Sequence, residues 1–132
     1  MAENEYFALW DSHFRDECHH AEIDYQTCTR QEEAQVIREV LKQFMAMFLE
    51  LNLDSRYRRL GLPIHGIEVL QARAAELHHL RPSETREMHL NDLLVLLAGE
   101  FQHVSIPPEA CKVIRTKTAD LPEWSEIDEL LP

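Results

Sequence analysis

Apolar positions recur at intervals of three and four along almost the whole chain, and that period is the signature of amphipathic helices. Phe7, Trp10, Phe14, Cys18, Ala21 and Tyr25 predict a first helix from about Asn4 to Asp24, with an aromatic stripe that serves as core or interface. Thr29-Arg-Gln-Glu32 has capping-box spacing, and behind it Ala34, Ile37, Leu41, Phe44, Phe48 and Leu51 keep helical period to about Asn52. Val36, Val40, Met45 and Met47 widen the apolar surface of this second helix, so it is expected to be central and packed on more than one side.

Between Asp54 and Gly66 the pattern breaks, leaving room for one helical turn that Gly61 closes and Pro63 stops. Ile67, Leu70, Ala74 and Leu77 then predict a third helix ending before Pro82. Ser83 can cap a fourth, carrying Met88, Leu93, Leu94, Leu97 and Phe101 to about His103. The run Leu93 to Ala98 also suits a buried strand, but its continuation through Glu100 and Phe101 and the lack of partner strands favour helix. Pro107 and Pro108 open a short fifth helix to about Thr116, and Val113 to Thr118 is the one possible strand.

The last dozen residues form a pattern of their own. Trp124, Ile127 and Leu131 stand at helical spacing among carboxylates with no basic residue, Pro122 suits a first helical position, and Pro132 follows as a stop. The fold expected is all-α: a compact helical bundle of four to five main helices plus a short C-terminal acidic amphipathic helix, in one domain over residues 1–132.

Composition narrows the class. Three glycines and no Gly/Ser-rich run leave no flexible linker, and the longest apolar run falls far short of the roughly 20 residues that cross a bilayer. The first residues show neither the basic start nor the apolar stretch of a secretory signal. Cys18, Cys28 and Cys111 are odd in number without a Cys-x-x-Cys pair, which favours reduced thiols and a cytoplasmic setting.

A net charge of −11 disfavours nucleic acid and anionic lipid and favours basic partners. Its distribution says more. Glu3 to Asp24 holds seven acids and one Arg, and Asp120 onward holds five acids and no base. Between Ser55 and Arg86, six arginines face three glutamates. Acidic ends can fold back on this basic middle or meet it in a second copy, so a homodimer is expected.

Eight histidines include three Glu-x-x-His spacings, at Glu17/His20, Glu76/His79 and Glu100/His103. Helical bundles hold two iron or manganese ions with that motif, provided the side chains converge on the core. Glu76 and His79 instead point more than about 100° from the Ile67/Leu70/Ala74/Leu77 stripe, and His20 falls outside the first helix's stripe. A metal-binding bundle, including the case of a di-metal redox enzyme, using Glu17, His20, Glu76 and His79 is therefore the alternative reading. No phosphate-cradling glycine loop or Gly-x-Ser-x-Gly elbow is present, and acids around Cys18 oppose a reactive thiolate. The expectation is a non-enzymatic regulator without cofactor, an inhibitor, anti-activator or immunity-type partner of a protein with a basic or apolar groove. Trp124, Ile127 and Leu131 would anchor it, with Glu123, Glu126, Asp128 and Glu129 steering. Arg56, Arg58 and Arg59 form a second candidate patch.

Overall fold

Residues 1–131 are described by a computed structural model, and every regular element among them is helical. Seven α-helices run in order: α1 Glu3–His20, α2 Arg30–Arg59, α3 Ile67–His78, α4 Pro82–Thr85, α5 Leu90–Leu96, α6 Pro108–Thr118 and α7 Trp124–Leu130, with a 3-10 helix Ala98–His103 between α5 and α6. Pro132, expected to stop the last helix, lies outside the described residues. No helix among them is long and apolar enough to cross a membrane. The possible strand at Val113 to Thr118 is helical, part of α6.

The chain divides into two compact units. One comprises Met1–Phe44 together with the segment from Ile106 onward; the other is Met45–Ser105. Helix α2 contributes its first half to one and its second half to the other.

In the first unit, α1 starts with Glu5 accepting the backbone N–H of Ala2 at 3.3 Å and buries Tyr6, Trp10 and Cys18. Phe44 meets the rings of Tyr6 and Trp10 edge-on, with centroids 6.4 and 5.1 Å apart. The capping box at Thr29 forms in both directions: Thr29 Oγ1 accepts Glu32 N–H at 3.1 Å, and the Glu32 carboxylate accepts Thr29 N–H at 3.0 Å. Helix α6 packs beside α1 and buries Ala110, Cys111, Val113 and Ile114.

In the second unit, α2 runs on to Arg59, seven residues past its expected end at Asn52. The reason is a second apolar stripe, Ala46, Leu49, Leu53 and Tyr57, which takes over from the one read in the sequence and stays in the core with Val69, Leu70, Ala74, Leu93 and Leu97. Asn52 points elsewhere. Its amide donates to the carbonyls of Phe48 and Ser105, at 2.8 and 3.2 Å, and accepts Ser105 N–H at 3.1 Å, pairing with that backbone as a strand neighbour would.

The buried face of α3 is Val69, Leu70, Ala74 and Ala75, whereas Ile67 and Leu77 of the expected stripe are about two-fifths exposed. The expected fourth helix is three pieces. Pro82 takes the first helical position, so Arg81 and not Ser83 stands at the N-cap. The buried Thr85 hydroxyl donates at 3.2 Å to the Pro82 carbonyl, which also accepts Arg86 N–H at 3.1 Å, and the chain turns at Met88 before His89 restarts α5 in extended geometry.

Candidate functional site

Among the described residues, two concave surfaces, one in each unit, reach about 510 Å³ or more, and a third of about 400 Å³ lies in the first unit, lined by Arg115, Thr118, Ala119, Trp124 and Asp128. The largest, in the first unit, is a groove of about 1140 Å³. Helix α1 supplies Asp11, Phe14, Arg15, Cys18 and His19, spaced i, i+3, i+4, i+7 and i+8 and therefore on one face. Glu33 and Ile37 of α2, one turn apart, and Thr116, Lys117 and Asp120 at the end of α6 add further lining. Ile23, Asp24 and Tyr25 line it from the connection between α1 and α2.

That connection is fixed by the way α1 ends. Glu22 adopts φ 57, the left-handed conformation, while Ile23 N–H reaches back to the Cys18 carbonyl at 2.9 Å and Glu22 N–H to that of His19 at 3.2 Å. This is a Schellman motif closed by a glutamate where glycine is usual. Asp24 continues the turn by accepting Gln26 N–H at 3.0 Å, and Tyr25, 64% exposed, meets Phe14 edge-on at 5.6 Å.

The groove combines an apolar floor (Trp10, Phe14, Cys18, Ile23, Ile37) with four carboxylates, Asp11, Asp24, Glu33 and Asp120, against Arg15 and Lys117. Lys117 is already engaged, 2.9 Å from Asp11 and 5.6 Å above the Phe7 ring. Burial pushes the Cys18 thiol up from its ordinary value, and the nearby Cys28, Glu17 and Glu33 push it further, so the thiolate is disfavoured. The groove thus pairs an apolar floor with more carboxylates than cations.

The second unit carries a smaller pocket of about 510 Å³, floored by Leu49, Leu53, Leu60 and Val104 and rimmed by Arg56, Arg59 and His103. Beside it Glu76 collects three partners: Arg56, Arg73 at 3.6 Å, and the Tyr57 hydroxyl, which donates at 3.2 Å. Arg73 is held further by Glu100, at 3.1 and 2.8 Å. Burial and the adjacent Glu76 push the Tyr57 phenol up to about 12.

The residues singled out in the sequence fall into separate places. Ile127 and Leu131 are buried within the first unit, with Leu121 beside them in the sequence, so they are core side chains and not anchors offered to a partner. Trp124, the first residue of α7 and two residues later than Pro122 suggested, is 54% exposed, whereas Ile127 and Leu131 are buried. Glu123 is bound to Arg38 in a two-point contact of 2.6 and 3.3 Å, and Glu126 is exposed. Arg56 pairs with Glu76 and Arg58 with Asp54 at 2.7 Å, whereas Arg59 has no partner among the described residues.

The residues of the metal reading are dispersed. Glu17 accepts from Gln43 in the first unit, and Glu76 holds the arginines of the second. His20 is exposed at the end of α1, and His79, at φ 54, terminates α3 in the left-handed conformation. No three His, Cys, Asp or Glu side chains come together as a metal site among the described residues.

Sequence reasoning missed the rim residues Asp24, Glu33 and Asp120. Two signals overlap at the groove: the aromatic stripe of α1 runs through the acidic segment Glu3 to Asp24, so apolar residues there are flanked by excess negative charge. Compared with family models, with curated proteins and with solved structures, the chain has no significant match.

Proposed function

We propose that this chain is a small acidic regulator that works by binding, not by chemistry, and that its groove in the first unit receives a basic amphipathic helix of a target protein. The observation that carries the reading is the lining of that groove, in which Phe14, Ile23 and Ile37 lie among Asp24, Glu33 and Asp120. Its volume of about 1140 Å³ exceeds the roughly 300 to 1000 Å³ usual for small-molecule sites and suits a segment of polypeptide. An apolar floor supplies affinity, and the carboxylate rim supplies steering and rejects acidic sequences. Occupying a target's basic helix in this way is how an inhibitor, anti-activator or immunity-type protein acts. The chain is taken to be cytoplasmic, from its three unpaired cysteines, and homodimeric, from its opposed charges.

The test uses an amphipathic Leu/Lys helical peptide as probe, followed by amide chemical shifts of the full chain. Shifts are expected at Phe14, Ile23, Tyr25 and Ile37, with a Kd of about 1 to 100 µM that weakens as salt rises. Asp24→Lys together with Glu33→Lys should weaken binding about tenfold or more while the melting temperature holds. A peptide that leaves these residues unmoved at millimolar concentration refutes the reading.

A further inference from the structure

The pocket of the second unit is lined largely from one side of α2. Leu49, Leu53, Arg56 and Leu60 follow one another there at intervals of four, three and four, and Ser55 and Arg59, one turn apart, border them. Leu49 and Leu53 are buried, whereas Leu60 is left 65% exposed.

Charge around this floor does not cancel. Arg56 and Arg73 both meet Glu76, and two nitrogens of Arg73 hold Glu100, the one carboxylate in the lining. Two arginines thus answer two glutamates. Arg59 is left over, with no ion pair among the described residues, and His103 on the same rim adds no negative charge. Arg59 is the last residue of α2, yet the helix end does not consume it. The carbonyls of Tyr57 and Arg58 there accept the backbone N–H groups of Leu60, Gly61 and Leu62. Ser55 lines the same pocket with a hydroxyl that has no hydrogen-bond partner among the described residues.

We propose that this pocket binds a small organic monoanion, a carboxylate on an apolar chain, with the carboxylate at Arg59 and Ser55 and the chain over Leu53 and Leu60. One unanswered guanidinium matches one negative charge and takes a carboxylate at two points. A phosphate monoester would bring further charge that nothing in the lining answers, to a chain whose net charge is already −11. The leucines offer a purely polar anion nothing, and an apolar chain laid on them covers Leu60. At about 510 Å³ the pocket falls within the roughly 300 to 1000 Å³ usual for small-molecule sites, unlike the groove of the first unit. The site lies wholly within Met45–Ser105 and does not depend on what that groove receives.

Decanoate is the probe, followed by amide chemical shifts of the full chain. Shifts are expected at Leu53, Arg59, Leu60 and Val104, with a Kd of about 0.1 to 1 mM, as suits a ligand of this size on a partly open floor. Arg59→Gln should raise that Kd about tenfold, and Arg59→Lys should recover part of the loss. Leu60→Ser should raise it about threefold or more. Both side chains are exposed, so circular dichroism should show unchanged folding. Acetate, the head without the chain, and decylammonium, the chain with the opposite head, should leave the four amides unmoved at the same concentrations. Decanoate that moves none of them at about 10 mM overturns the site. Equal shifts from decylammonium, or a Kd indifferent to Arg59→Gln, overturn the anion selection and the proposal with it. Inorganic phosphate that binds at Arg59 as tightly as decanoate overturns the carboxylate class.

Discussion

Arg38 Nε donates to Glu123 Oε1 at 2.6 Å, joining the first half of α2 to the start of the tail across 85 positions of sequence. Together with the Arg115–Asp128 pair at 2.6 Å, it brackets α7 over the buried Leu121, Ile127 and Leu131. Those three side chains contribute roughly 5 to 9 kcal/mol gross, whereas half-exposed ion pairs contribute little. Deleting residues 121–132 should therefore lower stability by about 2 to 5 kcal/mol after the ordering of the tail is counted, as measured by urea unfolding.

The hydrogen bond from Arg38 holds the Glu123 carboxyl below its ordinary value near 4.5. A depressed carboxyl favours the fold above the unfolded value and loses that contribution as pH falls through the folded one. Tail docking, followed by hydrogen exchange at Ile127, should loosen below about pH 4.5 in the wild type. In Glu123→Gln the profile should be flatter over that range.

Tyr57 shows the opposite sign. Its phenol is pushed from 10.0 up to about 12 by burial and by Glu76, so the neutral form favours the fold. That contribution is complete below pH 10, and stability should fall between about pH 10 and 12 as an unfolded tyrosine would ionise there. Ultraviolet titration should find Tyr57 ionising near pH 12 in the native protein, and Tyr57→Phe should remove this alkaline loss.

Glu50 is a half-buried carboxylate on α2 with no partner among the described residues, and desolvation raises its pKa. Ionised at neutral pH, it opposes folding. Glu50→Gln should raise the melting temperature, more at pH 8 than at pH 4, because only the charged form carries the desolvation cost.

Glu22 and His79 end α1 and α3 in left-handed geometry, at φ 57 and 54. L side chains strain there by about 1 kcal/mol and glycine does not. Glu22→Gly and His79→Gly should each leave stability unchanged or raise it by up to about 1 kcal/mol, the gain being trimmed by glycine's freedom in the unfolded chain. Thr29→Ala, by contrast, removes half of a capping box and should cost about 1 kcal/mol.

Helical character was plain in the sequence because a period near 3.6 is a local property. The capping box at Thr29 was equally plain, since its two partners are three residues apart. The continuation of α2 was hidden because its stripe changes: Phe44 and Phe48 dominate early, while Leu53 and Tyr57 keep the helix apolar through a segment that reads as charged. The break of the fourth helix falls between Thr85 and Leu90, where no proline or glycine stands to announce it and the hydrophobic pattern runs on. At the groove, the aromatic stripe of α1 announced a face, but Glu33 and Asp120 reach it only through folding. Likewise, spacing alone could not separate Ile127 and Leu131, which turn inward, from Trp124, which does not.

The first unit is assembled from both ends of the chain, with α1 packed beside α6 although all of Met45–Ser105 lies between them in sequence. On a ribosome this sets an order in time. The interrupting unit is complete once Ser105 has emerged, whereas Tyr6 and Trp10, which Phe44 can meet early, still wait for α6 beside their helix. At synthesis rates of about 5 to 20 residues per second, α1 stays without its α6 neighbour for several seconds. Helix α1 thus becomes native late, and its face toward α6 is where a nascent chain of this protein is open to chaperones and to aggregation.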